Sequence, residues 1–148
     1  MKSKFSHVDL VVSDIERSLS FYRGLLVPLG WSGLNEVRGE RGETIHYLSQ
    51  EGPGVAALGL RQRPDDAPQH PYDRYALGVH HVCFDAPSRQ VVDERARWLT
   101  ENDDAEIESG PGEYEYTPGY YAVFFYDPDG IKLEILHRPG YWEHVRSA

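Results

Sequence analysis

The apolar positions change period several times along the chain, and each change predicts an element. Residues 5–12, FSHVDLVV, break an apolar, valine-rich run with polar side chains, which predicts a strand with His7, Asp9 and Val11 facing one way. Ser13 and Asp14 can then cap a helix, Glu16 sits three after Ser13 as in a capping box, and Ile15, Leu19, Tyr22 and Leu26 recur at helical spacing until Pro28 and Gly30. WSGLNEVRG, ETIHYLSQ and GVAALGLRQ follow as three short antiparallel strands, separated by Gly39 to Gly42 and by the turn Glu51-Gly-Pro-Gly54. Residues 62–78 hold three prolines and no apolar period, which is the composition of a connector.

Beyond it the pattern starts again. GVHHVCFDA predicts a strand, Pro87-Ser88 opens a helix carrying Val92, Ala96 and Leu99, and AEIES, GYYAVFFY and GIKLEILH predict three more strands, the last two joined by an Asp127-Pro-Asp-Gly130 turn. Each half thus reads strand, helix, strand, strand, strand, and His7-Val8 recurs as His81-Val82, a repeat of about 74 residues. The prediction is an α+β chain of two βαβββ modules: module one over about 5–62, a linker over about 63–78, module two over about 79–137 and a tail over 138–148.

A length of 148 residues suffices for a core without disulfides. Fifteen basic against 24 acidic residues give a net charge of −9, which argues against nucleic acid and anionic membrane surfaces as partners. No apolar run is long enough to span a membrane, the start MKSKFSHVDL has no apolar signal core, and the single Cys83 cannot form an internal disulfide, so a reducing cytoplasm is the expected location.

Seven histidines are the candidate chemistry: His7, His46, His70, His80, His81, His137 and His144. His7 and His81 hold matching places in the two modules, and Glu134 falls in an otherwise apolar strand, where a bare carboxylate is costly to bury. Two neutral imidazoles and one carboxylate can hold a divalent metal on one face and leave positions open for water, substrate or dioxygen.

These residues resemble the vicinal oxygen chelate superfamily, which includes glyoxalase I, extradiol ring-cleaving dioxygenases, and fosfomycin- and bleomycin-resistance proteins. The resemblance is carried by HVDLVVSDIERSLSFYRGLL, HHVCFDA and GYYAVFFYDPDGIKLEIL, and most specifically by the DPDG turn before a strand containing glutamate. It implies an open, cup-like half-barrel with metal ligands at His7, His81 and Glu134, His80 being the rival to His81 because only one of two adjacent strand residues can face the cup. It also implies a fourth ligand in the last strand of module one, where Gly59 stands instead; a strand glycine can equally mark a bulge or a close backbone approach. The three-ligand set is similar to that of the extradiol dioxygenase branch.

Tyr114, Tyr116, Tyr120 and Tyr121 lie near the implied cup, and Glu134, Tyr120 and Tyr121 are the catalytic candidates, although Tyr120 and Tyr121 must point oppositely in a strand. His46 and Glu115 are weaker acid or base candidates, Cys83 reads as a small buried hydrophobe, and Tyr141, Trp142 and His144 in the tail could close the cup or dress an interface. The expected protein is a homodimeric enzyme holding one divalent ion (iron, zinc, nickel, manganese or magnesium) and acting on a small molecule chelated through adjacent oxygens, by lyase, isomerase or ring-cleaving dioxygenase chemistry. The alternative is a metal-free protein of the bleomycin-resistance type that sequesters an antibiotic or aromatic ligand.

Overall fold

A computed structural model describes residues 3–140 and divides the chain into two compact units, Met1–His70 and Pro71–Ala148. The boundary falls inside the proline-rich connector. The tail residues Tyr141, Trp142 and His144 lie outside the described residues. Among the described residues no helix is long and apolar enough to cross a membrane.

The N-terminal unit runs β1 (His7–Val12), α1 (Ile15–Leu26), β2 (Gly33–Arg38), β3 (Thr44–Ser49) and β4 (Ala57–Gln62). Its sheet has the order β1-β4-β3-β2, with β1 parallel to β4 and the other pairs antiparallel. A parallel pair needs a crossover, and α1 with the strands that follow it supplies one. Leu10, Val12, Leu48, Leu58 and Leu60 are buried with Phe21, Tyr22, Leu25 and Leu26 of α1, each such side chain contributing about 1.5–3 kcal/mol of hydrophobic stabilisation. Alternation sends His7, Asp9, Val11, Gly59 and Arg61 to the other face. The helix start corrects the capping-box expectation: Asp14, rather than Ser13, is the N-cap, and its carboxylate accepts from the backbone N–H of Arg17 at 3.1 Å.

The C-terminal unit repeats the plan with β5 (Val82–Asp85), α2 (Arg89–Thr100), β6 (Glu106–Glu113), β7 (Tyr121–Tyr126) and β8 (Lys132–His137), in the order β5-β8-β7-β6. Ser88 caps α2, and Val92, Ala96 and Leu99 form its buried stripe, as their spacing predicts. The Asp127 side chain is buried and accepts from the backbone N–H of Asp129 and Ile131, while Gly130 takes φ +81°, so the DPDG turn aims β8 back along β7.

Two elements differ from their sequence reading. β6 extends well past AEIES to Glu113, its register with β7 slipping twice between Ile107 and Gly112. β5 starts only at Val82, so His80 and His81 precede the regular strand and the one-in, one-out rule does not bind them.

Candidate functional site

On β8 the alternation places Leu133 and Ile135 on the α2 side, and Lys132, Glu134 and Leu136 on the opposite face. Cys83 of β5 and Phe124 of β7 stand beside Glu134 in register. Glu134 is only 1% exposed, so its carboxylate depends on donors from the protein. Tyr120 supplies one, its hydroxyl donating to Oε1, and the Nε2 of His81 lies 3.3 Å from Oε2. Desolvation, followed by the Glu134 bond, pushes the Tyr120 hydroxyl well above the usual phenol range, so Tyr120 remains a neutral donor. The Cys83 thiol is likewise pushed up by desolvation and then by Glu134, although the residue as a whole keeps accessible surface, so it stays a thiol at neutral pH.

His80 belongs to the same cluster. Its Nδ1 lies 2.8 Å from the Nδ1 of His81, with the rings edge to face, and the Tyr75 ring meets it edge to face at 5.3 Å between centroids. Desolvation, then the neighbouring His81, lower the His80 pKa, which keeps its ring neutral at pH 7. Next to Tyr120 is an aromatic group in which Tyr116 stacks on Tyr114 at 5.8 Å and 11°, and Tyr114 meets Phe124 edge-on at 5.1 Å. Tyr116 is 68% exposed, so this group presents an aromatic surface to solvent. Tyr121 points the other way, its hydroxyl donating to Asp93 of α2 at 2.7 Å, so of the two adjacent tyrosines the structure brings Tyr120 to Glu134 and not Tyr121.

In the N-terminal unit, His7 packs edge-on against Tyr47 at 5.4 Å, and Ser6 Oγ engages its Nδ1 at 3.0 Å, which leaves Nε2 for a ligand. The Tyr47 hydroxyl donates to Asp9 Oδ2, which also accepts from Arg61 Nε at 2.7 Å. Arg61 reaches on to Glu40 and Glu43. Gly59 faces Asp9 in the β1–β4 register as Glu134 faces Cys83 in the β5–β8 register. A Cβ at position 59 would stand 2.3 Å from Asp9 Oδ1 and 2.7 Å from the Tyr47 ring. The space in which a fourth ligand is expected is therefore filled, by a carboxylate carried on the first strand instead of the last. His46 pairs with Leu60, on the α1 side of the sheet, with Glu36 Oε1 at 3.4 Å, and Glu115 is exposed; neither joins these clusters.

Sequence reasoning missed a further network on the Glu134 face, in which Glu108 accepts from Arg74 at 2.5 Å, Lys132 at 2.6 Å and Tyr126 at 2.5 Å. The available signal was the spacing of Lys132 two residues before Glu134, which puts both on one side of β8.

The donor pair fits a divalent cation. Two ligands bound to one ion at about 2.1 Å, at octahedral or tetrahedral angles, stand roughly 3.0–3.4 Å apart, and His81 Nε2 and Glu134 Oε2 stand 3.3 Å apart. Among the described residues no group of three His, Cys, Asp or Glu side chains converges as a cation cage, so the pair is what the structure itself supplies.

Two Bacillus subtilis (strain 168) proteins are similar to this chain: the uncharacterized protein YwkD, 31% identical over 89% of this chain and 94% of its own length, and the uncharacterized protein YqjT, 29% identical over 88% and 95%. The solved glyoxylase/bleomycin resistance protein/dioxygenase domain from Frankia sp. EAN1pec is 26% identical, covers 93% of this chain and 98% of its own, and superposes with a TM-score of 0.73. Residues 4–135 match the family model itself, and on that match the chain belongs to the Glyoxalase/Bleomycin resistance protein/Dioxygenase superfamily.

Proposed function

We propose that the chain is a metal-dependent enzyme acting, in a reducing cytoplasm, on a small molecule that presents two adjacent oxygens, with its metal centre built on His81 and Glu134. The observation that carries this reading is the buried Glu134 carboxylate facing an imidazole nitrogen at the spacing of two ligands on one ion. A divalent ion bound there supplies Lewis acidity to the chelated oxygens.

The chain's own residues set up the rest. Tyr120 holds Oε1 of Glu134, which fixes the carboxylate plane and leaves Oε2 as the binding oxygen. Glu134 brings the formal negative charge that neutral imidazoles lack. Tyr114, Tyr116 and Phe124 offer ring faces and edges to the body of the substrate, while Lys132, its ammonium 4.8 Å above the Phe124 ring, adds positive charge to the same side of the sheet.

Elemental analysis of protein purified without chelator tests the proposal. About one divalent ion per chain is expected in the wild type, and little in His81→Ala and Glu134→Gln. Equal metal content in wild type and Glu134→Gln would refute the centre. The exposed Tyr116–Tyr114 stack favours a second reading, a metal-free binder of planar aromatic ligands, in which fluorescence-detected ligand binding survives Glu134→Gln unchanged.

A further inference from the structure

A histidine that binds a metal through Nε2 must carry its proton on Nδ1, and that N–H needs an acceptor to hold both tautomer and ring orientation. The usual acceptor is a carboxylate or a backbone carbonyl. For His81 the Nδ1 partner is instead the neighbouring imidazole, since His80 Nδ1 lies 2.8 Å away. The short start of β5 makes this contact attainable, because in a regular strand the two adjacent side chains would point to opposite faces. The Tyr75 ring also meets the His80 ring edge to face, at 5.3 Å between centroids.

We infer that His80 is a positioning residue for the metal centre: its Nδ1 lone pair accepts the Nδ1–H of His81 and thereby turns the Nε2 lone pair of His81 toward Glu134 Oε2. The inference rests on the metal-centre reading proposed above and adds a residue to it. It requires His80 to be the Nε2–H tautomer and makes the pair HisHis, rather than His81 alone, the unit that binds. The two donors of the C-terminal unit are then each held from behind, Glu134 by the Tyr120 hydroxyl and His81 by the His80 ring.

The test compares zinc(II) affinity by calorimetry for the wild type, His80→Phe, His80→Asn and His81→Ala, with thermal unfolding to confirm that each is folded. Phenylalanine keeps a ring of similar shape but removes the acceptor; asparagine restores an acceptor oxygen close to the backbone. His80→Phe is expected to weaken zinc binding by about 10–100-fold, His80→Asn to recover most of the loss, and His81→Ala to abolish tight binding. In the zinc-loaded wild type, nitrogen-15 NMR of the His81 ring is expected to show a protonated Nδ1 and a metal-bound Nε2. Wild-type affinity in His80→Phe, equal weakness in His80→Phe and His80→Asn, or coordination through Nδ1 of His81 would overturn the positioning role while the metal centre stands. Absence of zinc binding by the wild type would instead overturn the metal centre, and the positioning role with it.

Discussion

Position 59 shows how one missing side chain shapes its surroundings. Glycine there lets the Asp9 carboxylate lie flat on β4, where Oδ2 can take hydrogen bonds from both Tyr47 and Arg61, and the Tyr47 ring in turn flanks His7. Gly59→Ala forces two packed groups apart and should cost about 1–3 kcal/mol, read from the urea midpoint; an unchanged midpoint would mean that Asp9 moves aside freely. A glutamate at this position would have to evict Asp9 before it could serve as a fourth ligand; the space beside the strand glycine is taken by the Asp9 and Tyr47 side chains rather than by another stretch of backbone. Glu134 was legible in the sequence because a carboxylate between Leu133 and Ile135 has few physical justifications. The choice between Tyr120 and Tyr121 was not, because it depends on where β7 begins, and its first pair is Tyr121 with His137.

Among the elements, β6 carries the clearest electrostatic signature. Burial opposes ionisation of Glu108, but hydrogen bonds from Lys132, Tyr126 and Arg74 outweigh it and hold the carboxyl at about 2, below its ordinary value of 4.5. A depressed folded-state pKa stabilises the fold above the unfolded value and loses that contribution as pH falls through the folded value, so the loss lies between about pH 4.5 and pH 2. Glu108→Gln should therefore lower stability by about 1–2 kcal/mol at pH 7 and flatten the pH dependence across that window. Equal acid limbs in the two proteins, followed by denaturation from pH 7 to pH 2, would contradict the network. The length of β6 was hidden in the sequence because Ser109-Gly-Pro-Gly112 has the composition of a turn; pairing with β7 overrides that local preference. The helices were easier to read, since both combine a capping residue with an apolar stripe at helical spacing.

At the scale of the whole molecule, the sequence repeat reappears as one strand order used twice, β1-β4-β3-β2 and β5-β8-β7-β6. What the repeat could not convey is how the two copies have diverged, with a carboxylate on β8 in one and on β1 in the other. Each sheet ends on strands with a single partner in that sheet, and on β2 both Leu34 and Val37 are exposed. Covering such an edge favours self-association, and light scattering at tens of micromolar is expected to give twice the 16.9 kDa chain mass; a mass of one chain would leave β2 without that cover.

His81 and Glu134 are proposed to bind one divalent ion together. The most direct measurement is anomalous scattering from a crystal grown with zinc(II). The expected result is a single strong peak about 2.0–2.2 Å from both His81 Nε2 and Glu134 Oε2. A peak elsewhere on the chain, or none at zinc concentrations that saturate the protein in solution, would contradict it.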